Sequence, residues 1–352
     1  GQDAKVNRSE DTVGNALYII DANTGDLLWS ASNADADLTV TEMNYSIPAR
    51  ISVIDRDNDG LADHMYVADM GGQIFRFDIY NGKSTSNLVK GGLLAQFGGD
   101  LPENNRRFYY APDIAEVSTA DDHYFAVAIG SGLRAGPLNT TIEDSFFMVK
   151  DKGVFERDEF NNYVLPSTPF SISNLYDATE HLLTSSNDDE KELQRSLFAS
   201  KDGWMIRLTQ NGEKVLASPL ILDYQVFFTT YLPASSSESA CAPPTGNSRA
   251  YLVNLLDGNA VEDLNRNNET DSTDRYALLK QTGIAPDTKI LIENIVKPVV
   301  CLGAECVSAV IETDENGAVV ACGSDFECLA RNIYGKFERV QKNTWKTEVE
   351  RE

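Results

Sequence analysis

An acidic loop lies between two segments that favour β-strands, and it constrains how those segments can be connected. Residues 51–54 and 65–68 carry β-branched and aromatic side chains and are too short for helices. The nine residues between them, Asp55 to Asp63, read Asp-Arg-Asp-Asn-Asp-Gly-Leu-Ala-Asp. Glycine at the sixth position permits a sharp bend. The sequence therefore predicts a β-hairpin that is closed by a tight acidic loop.

The loop has the ligand spacing of a calcium site. Calcium takes six to eight oxygen ligands, and calcium loops supply them from alternating positions around a glycine turn. Position twelve is Tyr66 rather than a bidentate glutamate, so the loop differs from a helical EF-hand. The alternative is an acidic turn without metal, which the mutual repulsion of four aspartates disfavours. The predicted ligands are the carboxylates of Asp55, Asp57, Asp59 and Asp63 and the carbonyl of Leu61, with water completing the shell.

A second loop repeats this spacing with fewer charges. Asparagine replaces glycine at its sixth position and tolerates the left-handed conformation better than most residues. Only two of the four side chains at positions one, three, five and nine are charged, so we expect weaker calcium binding than at the first loop. A solvated turn without metal is the alternative. The candidate ligands of this possible second calcium site are Asp263, Asn265, Asn267, Glu269 and Asp271.

The charge balance excludes some partners. The chain has 352 residues, with 30 Lys and Arg against 54 Asp and Glu, a formal net charge of −24. Such a chain is poorly suited to nucleic acid or to an anionic membrane surface. The sequence contains no run of about eighteen apolar residues that could span a membrane, and no signal peptide is recognisable. We therefore expect a soluble chain that begins partway through a longer, exported protein.

The cysteines and histidines argue against zinc and against catalysis. Four of the five cysteines cluster between Cys301 and Cys328 without a zinc spacing, which is typical of a disulfide-containing module in an oxidising compartment. Sequential pairs, Cys301 with Cys306 and Cys322 with Cys328, are one of three connectivities, and Cys241 is left over. With only three histidines, the sequence offers no set of a nucleophile, a general base and a residue that orients the base. We therefore expect that the protein is not an enzyme. We expect His64 to face outward.

Short strand-like runs separated by turns recur along the chain and indicate an all-β fold, a propeller rather than a sandwich. A strand, an Asp or Asn and a glycine turn recur loosely in residues 18–29, 73–82 and 249–258. Residues 177–195 are the best helical candidate, although residues 185–189 look like a loop followed by a short helix. We assign residues 1–317 to the propeller and residues 318–352 to a small appendage packed on it. The predicted strands are residues 16–20, 27–30, 51–54, 65–68, 73–78, 124–129, 145–150, 195–200, 203–209, 214–216, 225–230 and 250–254. The aromatic residues predicted to pack between blades are Trp29, Phe75, Phe77, Trp204, Phe227 and Phe228.

Several segments together resemble the C-terminal domain of the PilC/PilY family of type IV pilus proteins. The resemblance covers most of the chain and is more specific than any one motif. It implies a modified β-propeller at or near the pilus tip or outer membrane, with calcium held in a blade hairpin by Asp55, Asp57, Asp59 and Asp63. It also implies a link between calcium and pilus extension or retraction, a role in surface attachment, and minor pilins and host or abiotic surfaces as partners. The matching segments are NALYIIDANTG (15–25), SIPAR (46–50), the acidic loop with YVADMGGQIFRFD (66–78), RRFYYAPD (106–113), GSGLRAGPL (130–138), GWMIRL (203–208), GEKVL (212–216) and FFTTY (227–231).

Two other functions remain open at this point. Residues 21–29 resemble the blade signature of quinoprotein dehydrogenases, but the chain has no adjacent cysteine pair and the signature does not repeat cleanly. The third possibility is a structural cap in which calcium only stabilises the fold. The preferred hypothesis is a calcium-responsive pilus biogenesis factor and tip adhesin.

Overall fold

The computed structural model describes residues 9–120, 122–234, 245–265, 267–294, 297–302 and 305–308. They form five β-sheets in chain order, which we number one to five, and few helices. The all-β prediction is confirmed. Sheet one has strands β1 (Leu17–Ile20), β2 (Leu27–Ser32) and β3 (Leu38–Thr39); sheet two has β4 (Ser52–Ile54), β5 (His64–Ala68), β6 (Gln73–Ile79) and β7 (Val89–Gln96). Sheet three has β8 (Asp113–Ser118), β9 (His123–Gly130), β10 (Ser145–Asp151), β11 (Tyr176–Asp177) and β12 (Gly203–Arg207).

The remaining strands complete sheets four and five. Neighbouring strands are antiparallel throughout, except that β3 runs parallel to β2 and β11 parallel to β12. Sheet four has β13 (Lys214–Val215), β14 (Leu220–Leu222), β15 (Gln225–Leu232), β16 (Asn247–Asn254) and β17 (Tyr276–Thr282); sheet five has β18 (Lys289–Asn294), β19 (Lys297–Leu302) and β20 (Glu305–Ser308). The helices are α1 (Thr85–Leu88), α2 (Asp188–Ala199) and the 3₁₀ turns Pro102–Asn104, Gly153–Phe155, Ile172–Asn174, Leu182–Thr184 and Ser272–Arg275.

Successive sheets pack face to face, and the two-residue period of a strand decides which neighbour each side chain contacts. In β5, Met65 and Val67 pack toward sheet one, whereas Tyr66 and Ala68 pack toward sheet three. In the same way, alternate residues of β10 contact sheet two or sheet four, and the rings of Phe146 and Phe228 stack across the second interface. The inner strands β5, β9 and β10 are therefore buried on both faces, and most of their residues are apolar.

The edge strands of successive sheets contact one another, as expected for blades around an axis. Ser52 of β4 donates from Oγ to the carbonyl of Pro112, next to β8, at 2.6 Å. Asp113 of β8 in turn accepts a hydrogen bond from the amide of Ile221 in β14, also at 2.6 Å. The sheets thus follow one another as the blades of a modified propeller, in agreement with the sequence prediction.

All six aromatic residues predicted to pack between blades are buried. Packing between sheets is confirmed for five of them, Trp29, Phe75, Phe77, Trp204 and Phe228, and stays a prediction for Phe227. One strand prediction is wrong. Residues 195–200 lie in and just after helix α2, which begins after Asn187 and runs to Ala199. The Asn187 side chain caps the helix by accepting hydrogen bonds from the amides of Asp189 and Glu190, and three acidic residues in the first turn suit the positive end of the helix dipole.

A long connection from β10 to β11 crosses over sheet two. We call residues 152–171 the crossover segment. Within it, Phe170 forms a parallel bridge with Ala95 of β7, and the Tyr163 amide donates to the Tyr80 hydroxyl at 2.8 Å. Asn162 accepts a hydrogen bond from Lys90 at 2.8 Å. The crossover segment therefore ties sheet three to sheet two on the side of the acidic loop.

Most of the cysteine predictions concern residues outside the described part of the chain. Cys241, Cys322, Cys328 and the proposed appendage at residues 318–352 lie there. In the described part, the strand register places Cys301 of β19 directly opposite Cys306 of β20, and their disulfide stays a prediction. In the described residues, we find no helix with the length and apolar character needed to cross a bilayer.

Candidate metal centre

The acidic loop closes the hairpin formed by β4 and β5, as the sequence predicts. Val53 pairs with Met65 and Ile54 with His64 in antiparallel register. The last ladder bond runs from the Asp63 amide to the Ile54 carbonyl at 2.8 Å. Asp55 and Asp63 therefore begin and end the loop side by side, each fixed by an adjoining strand.

Side-chain to backbone hydrogen bonds set the path of the loop. The Gly60 amide donates to Asp55 Oδ2 at 2.9 Å, and the Asp59 amide donates to Asp57 Oδ1 at 3.2 Å. Gly60 has φ of +89°, a left-handed conformation that disfavours residues with a Cβ. A Cβ at this position would meet nothing within 4 Å, so the glycine is required by the backbone angle rather than by crowding.

Three of the predicted ligands come together. Asp55, Asp57 and Asp63 each place a carboxylate oxygen so that all three oxygens lie within 4.8 Å of one another. Asp55 Oδ1 is buried and has no hydrogen-bond partner among the described residues. A buried carboxylate oxygen without a donor is costly to leave unsatisfied. Three converging carboxylates, one with an unsatisfied oxygen, fit a hard cation such as Ca²⁺.

Asp59 and Leu61 are not part of that group. The Asp59 carboxylate instead accepts the Leu61 amide at 2.8 Å, a bond that tightens the turn. Both residues are exposed. A cation drawn to the three converging oxygens would have room to recruit Asp59 and the Leu61 carbonyl, and their role as ligands stays a prediction.

The strand below the loop contains a buried charge network that the sequence did not reveal. The expectation that His64 faces outward is wrong: the ring is fully buried, and Nδ1 lies 2.7 Å from Asp78 Oδ1. The reason is register, because His64 pairs with Asp78 of β6 and packs edge-on against Phe125 of the next blade. Arg76 joins the network by donating from Nη1 to Asp151 at 2.6 Å.

The network is strongly held by charge. Burial alone would lower the pKa of Arg76, but the carboxylates of Asp151 and Asp78 outweigh it and raise that pKa above its usual value. Burial, followed by the charge of Asp151, likewise raises the pKa of Tyr66, whose hydroxyl donates to Asp151 at 2.8 Å. These groups therefore fix sheet two against sheet three beneath the acidic loop.

Arg56, the second residue of the acidic loop, links the loop to the crossover segment. Its amide donates to Asp63 Oδ2 at 2.8 Å, within the carboxylate group. Its guanidinium donates to the Val154 carbonyl at 3.2 Å and lies 5.7 Å from the ring centre of Phe155 and 5.5 Å from that of Tyr163. One residue thus contacts both a candidate metal ligand and a segment from the next blade.

The second loop, between β16 and β17, reproduces the turn of the first. The Asn268 amide donates to Asp263 Oδ2 at 2.8 Å, as Gly60 does to Asp55. The Glu269 amide donates to Asn267 Oδ1 at 2.7 Å, as Leu61 does to Asp59. Asn268 has φ of +67°, so asparagine takes the left-handed position as predicted.

The two loops differ at the ninth position. Asp271 caps the 3₁₀ turn Ser272–Arg275 and accepts hydrogen bonds from the Thr273 amide and hydroxyl, which lower the pKa of Asp271. The Asn265 amide donates to the buried Asp274, the twelfth residue of this loop. In the part of the chain that the structure describes, the acidic residues of the second loop do not form a close group like the first.

Sequence reasoning missed Arg56, the His64 network and Asp274. Asp274 could have been found, because it stands at position twelve of the second loop, a ligand position in calcium loops. The roles of Arg56 and His64 depend on contacts with Val154 and Phe125 in another blade. Local spacing contains no signal for such contacts.

The fold and the hairpin site define an all-β, modified propeller with an acidic loop in a blade hairpin. The C-terminal domain of Pseudomonas aeruginosa PilY1 has this fold: its crystal structure matches with a TM-score of 0.53 at 16% identity, covering 85% of this chain and 67% of that domain. The Type IV pilus biogenesis factor PilY1 homolog of Xylella fastidiosa (strain Temecula1) is 26% identical over 265 residues. These matches confirm the resemblance to the PilC/PilY C-terminal domain.

The matches cover only part of the relatives, and this limits which of the relatives' properties can be inferred for this chain. The alignment with the Xylella protein covers 70% of this chain but 17% of that protein. The Dos1 propeller is a more remote match, with a TM-score of 0.35 at 11% identity over 81% of this chain and 50% of that one, a level at which we infer nothing. No protein-family model matches the chain.

Proposed function

We propose that this chain is the C-terminal propeller of a type IV pilus biogenesis factor and that it binds calcium in the loop from Asp55 to Asp63. The observation that carries the metal assignment is the convergence of Asp55, Asp57 and Asp63 within 4.8 Å. The unsatisfied, buried Asp55 Oδ1 supports it. Calcium would offset the repulsion of these carboxylates, and Asp59, the Leu61 carbonyl and water would complete its shell.

Calcium occupancy would alter order beyond the loop. Asp63 Oδ2 accepts the Arg56 amide, and Arg56 reaches the Val154 carbonyl in the crossover segment. A metal that fixes Asp63 would therefore fix the position of Arg56 as well. The change at the switch is local charge neutralisation, and the element that responds is the contact between the loop and the crossover segment.

The biological part of the proposal rests on the relatives. The Xylella relative is a type IV pilus biogenesis factor by name, and the resemblance implies a protein at the pilus tip or outer membrane. We propose that calcium occupancy regulates pilus extension and retraction and surface attachment. Minor pilins and a host or abiotic surface would be the partners, with no catalytic turnover.

The second loop would bind calcium more weakly than the first, because hydrogen bonds within the loop already occupy its carboxylates. Asp271 and Asp274 already accept backbone amides there. A cation would have to displace these bonds, whereas Asp55 Oδ1 has no bond to displace among the described residues. The structure thus offers a built-in comparison between two loops with the same turn.

The experiment is to replace the chromosomal copy with Asp55→Asn or Asp63→Asn and to count surface pili and measure retraction. We expect variants that fold normally and are exported but change pilus number or retraction. Asp26→Asn, at an exposed aspartate outside both loops, is the matched control and should leave both unchanged. Normal pili in the Asp55→Asn strain would contradict a regulatory role.

A structural cap is the competing account. In that case Asp55→Asn would lower the amount of folded protein, and the pilus phenotype would follow the lost protein. Measuring the exported protein by immunoblot beside the pilus count separates the two. Full protein levels with altered retraction favour the switch, whereas loss of the protein favours the cap.

A further inference from the structure

A cavity lies at the end of β4 that is opposite the acidic loop. It has a volume of about 320 Å³. Most of its wall comes from residues that directly precede the edge strands of four sheets: 48–50 before β4, 109–111 before β8, Ser218 before β14 and Asp287 before β18. Arg134, in the connection that follows β9, completes the wall. We call it the axial cavity, because the edge strands β4, β8 and β14 contact one another as the inner strands of propeller blades do. A further bond, from the Ser218 amide to Asp287 Oδ1 at 2.9 Å, closes the wall between sheets four and five.

The cavity is basic in a strongly acidic chain. Arg50 and Arg134 both line it and are exposed. Neither forms an ion pair with a carboxylate in the described part of the chain. Asp287 is the one acidic residue of the wall, and its second oxygen lies 3.5 Å from Lys289 Nζ. With a net charge of −24 on the whole chain, two exposed guanidinium groups that have no carboxylate partner among the described residues mark a local site for an anion.

Arg134 is held in place for such a role. Its guanidinium lies 5.5 Å from the ring centre of Tyr110 and donates to the Tyr110 hydroxyl. Stacking on an aromatic ring restricts a side chain that would otherwise be mobile, so less entropy is lost when a ligand binds. The planar fork of a guanidinium matches the two oxygens of a carboxylate.

We propose that this axial cavity binds a carboxylate group. Arg134 and Arg50 would pair with it, and Tyr109 and Tyr110 would contact the remainder of the ligand. The volume suits a small acidic ligand or the end of a chain. Asp287 in the wall disfavours a dianion, so a carboxylate is preferred over phosphate. A peptide C-terminus and an acidic sugar both present this chemistry, and the proposal does not depend on calcium at the acidic loop.

The test uses pairs of an acidic probe and a neutral analogue, together with phosphate. The chain is titrated with acetyl-trialanine as the free acid and as the amide, with methyl glucuronoside and methyl glucoside, and with inorganic phosphate. Binding is followed by calorimetry or by NMR. We expect at least one acid to bind about tenfold or more tightly than its neutral partner, since the neutral form cannot form the charge-assisted pair. Which acid binds identifies the source of the carboxylate.

Variants assign the binding to the cavity. Arg134→Gln and Arg50→Gln should each weaken the preferred acid about tenfold, and Arg134→Lys should recover part of the loss because the charge remains without the fork. Arg195→Gln on helix α2 is the matched control and should change nothing. Thermal melts of each variant establish that it is folded, and Asp55→Asn should bind the acid like wild type.

The proposal is overturned by any of four results. These are equal binding of acid and neutral probes, undiminished binding by a folded Arg134→Gln variant, tighter binding of phosphate than of either acid, or no binding of any probe up to millimolar concentration. The calcium experiments are separate from all four, so failure of one proposal leaves the other standing.

Discussion

The guanidinium of Arg56 donates to the carbonyl of Val154 at 3.2 Å, across 98 residues of chain. The same residue donates its amide to Asp63 in the acidic loop. The loop that would bind calcium is therefore in direct contact with the crossover segment of the next blade. Calcium bound in the loop would therefore act on the contact between two sheets as well as on the exposed turn.

Arg56→Ala should uncouple the crossover segment from the loop. The variant keeps its backbone bond to Asp63 but loses the guanidinium contact with Val154, Phe155 and Tyr163. In the wild-type protein, calcium should slow amide hydrogen exchange in residues 152–164. In Arg56→Ala the same calcium should protect the loop and not that segment.

Arg157→Ala is the matched control for this experiment. Arg157 lies 3.3 Å from the ring centre of Tyr163 but does not belong to the acidic loop. Its loss should speed exchange in the crossover segment with and without calcium, while the response to calcium remains. Protection of residues 152–164 by calcium in Arg56→Ala would show that the coupling does not pass through Arg56.

Substitutions at Gly60 should follow backbone conformation. With φ at +89° and open space around the position, Gly60→Ala should destabilise the protein by roughly 1–2 kcal/mol through strain alone. Gly60→Asn should cost less, because asparagine adopts this conformation at the equivalent Asn268, where φ is +67°. Urea unfolding without calcium measures both. Equal losses for the two variants would mean that backbone strain is not the cause.

The propeller could be predicted from the sequence because the pattern of apolar residues in each strand indicates which of its faces are buried. In β5 the run from His64 to Ala68 is apolar apart from its first residue, and both faces are buried, as an inner strand requires. Helix α2 was harder to predict than the strands. Its apolar residues are few, among them Leu193, Leu197 and Phe198, and none of its residues is buried. Part of it was therefore read as a strand.

The hairpin position of the acidic loop could be predicted in the same local way. Asp55, Asp57 and Asp63 meet because a nine-residue loop between paired strands brings its ends together. His64 was misplaced because its burial depends on Asp78 and Phe125, which come from another strand and another blade. The axial cavity is similarly invisible in the sequence, since its residues come from separate sheets.

Two buried side chains, Asp144 and His181, should make stability depend on pH in opposite directions. Burial raises the pKa of Asp144 to about 6, against the hydrogen bond from Ser131 and the charges of Lys214 and Arg106. In the unfolded chain the same group has a pKa near 3.8, so between about pH 4 and pH 6 the folded state binds more protons. Its contribution to stability therefore falls as pH rises through this range, by up to about 3 kcal/mol.

Asp144→Asn should remove that loss, because asparagine stays neutral and can still accept from Ser131. The unfolding free energy of the variant should increase relative to that of wild type as pH rises from 4 to 7. His181→Gln should show the reverse slope, since burial and then the charge of Arg275 lower the pKa of His181 to about 4. Neutral His181 accepts the Ala260 amide at 3.0 Å and loses this bond on protonation. Parallel curves for variants and wild type in urea unfolding would contradict both assignments.

The central claim, a calcium site at Asp55, Asp57 and Asp63, is tested most directly by calorimetric titration of the chain with calcium. We expect a dissociation constant of about 10⁻⁴ to 10⁻³ M, the range of extracellular calcium modules. At about a hundredfold excess over that constant, the unfolding free energy should rise by about 2.7 kcal/mol. Asp55→Asn and Asp63→Asn should lose the binding heat, and the control Asp26→Asn, at an exposed aspartate outside both loops, should keep it. Absence of heat and of stabilisation in millimolar calcium, or unchanged binding by a folded Asp55→Asn variant, would contradict the account.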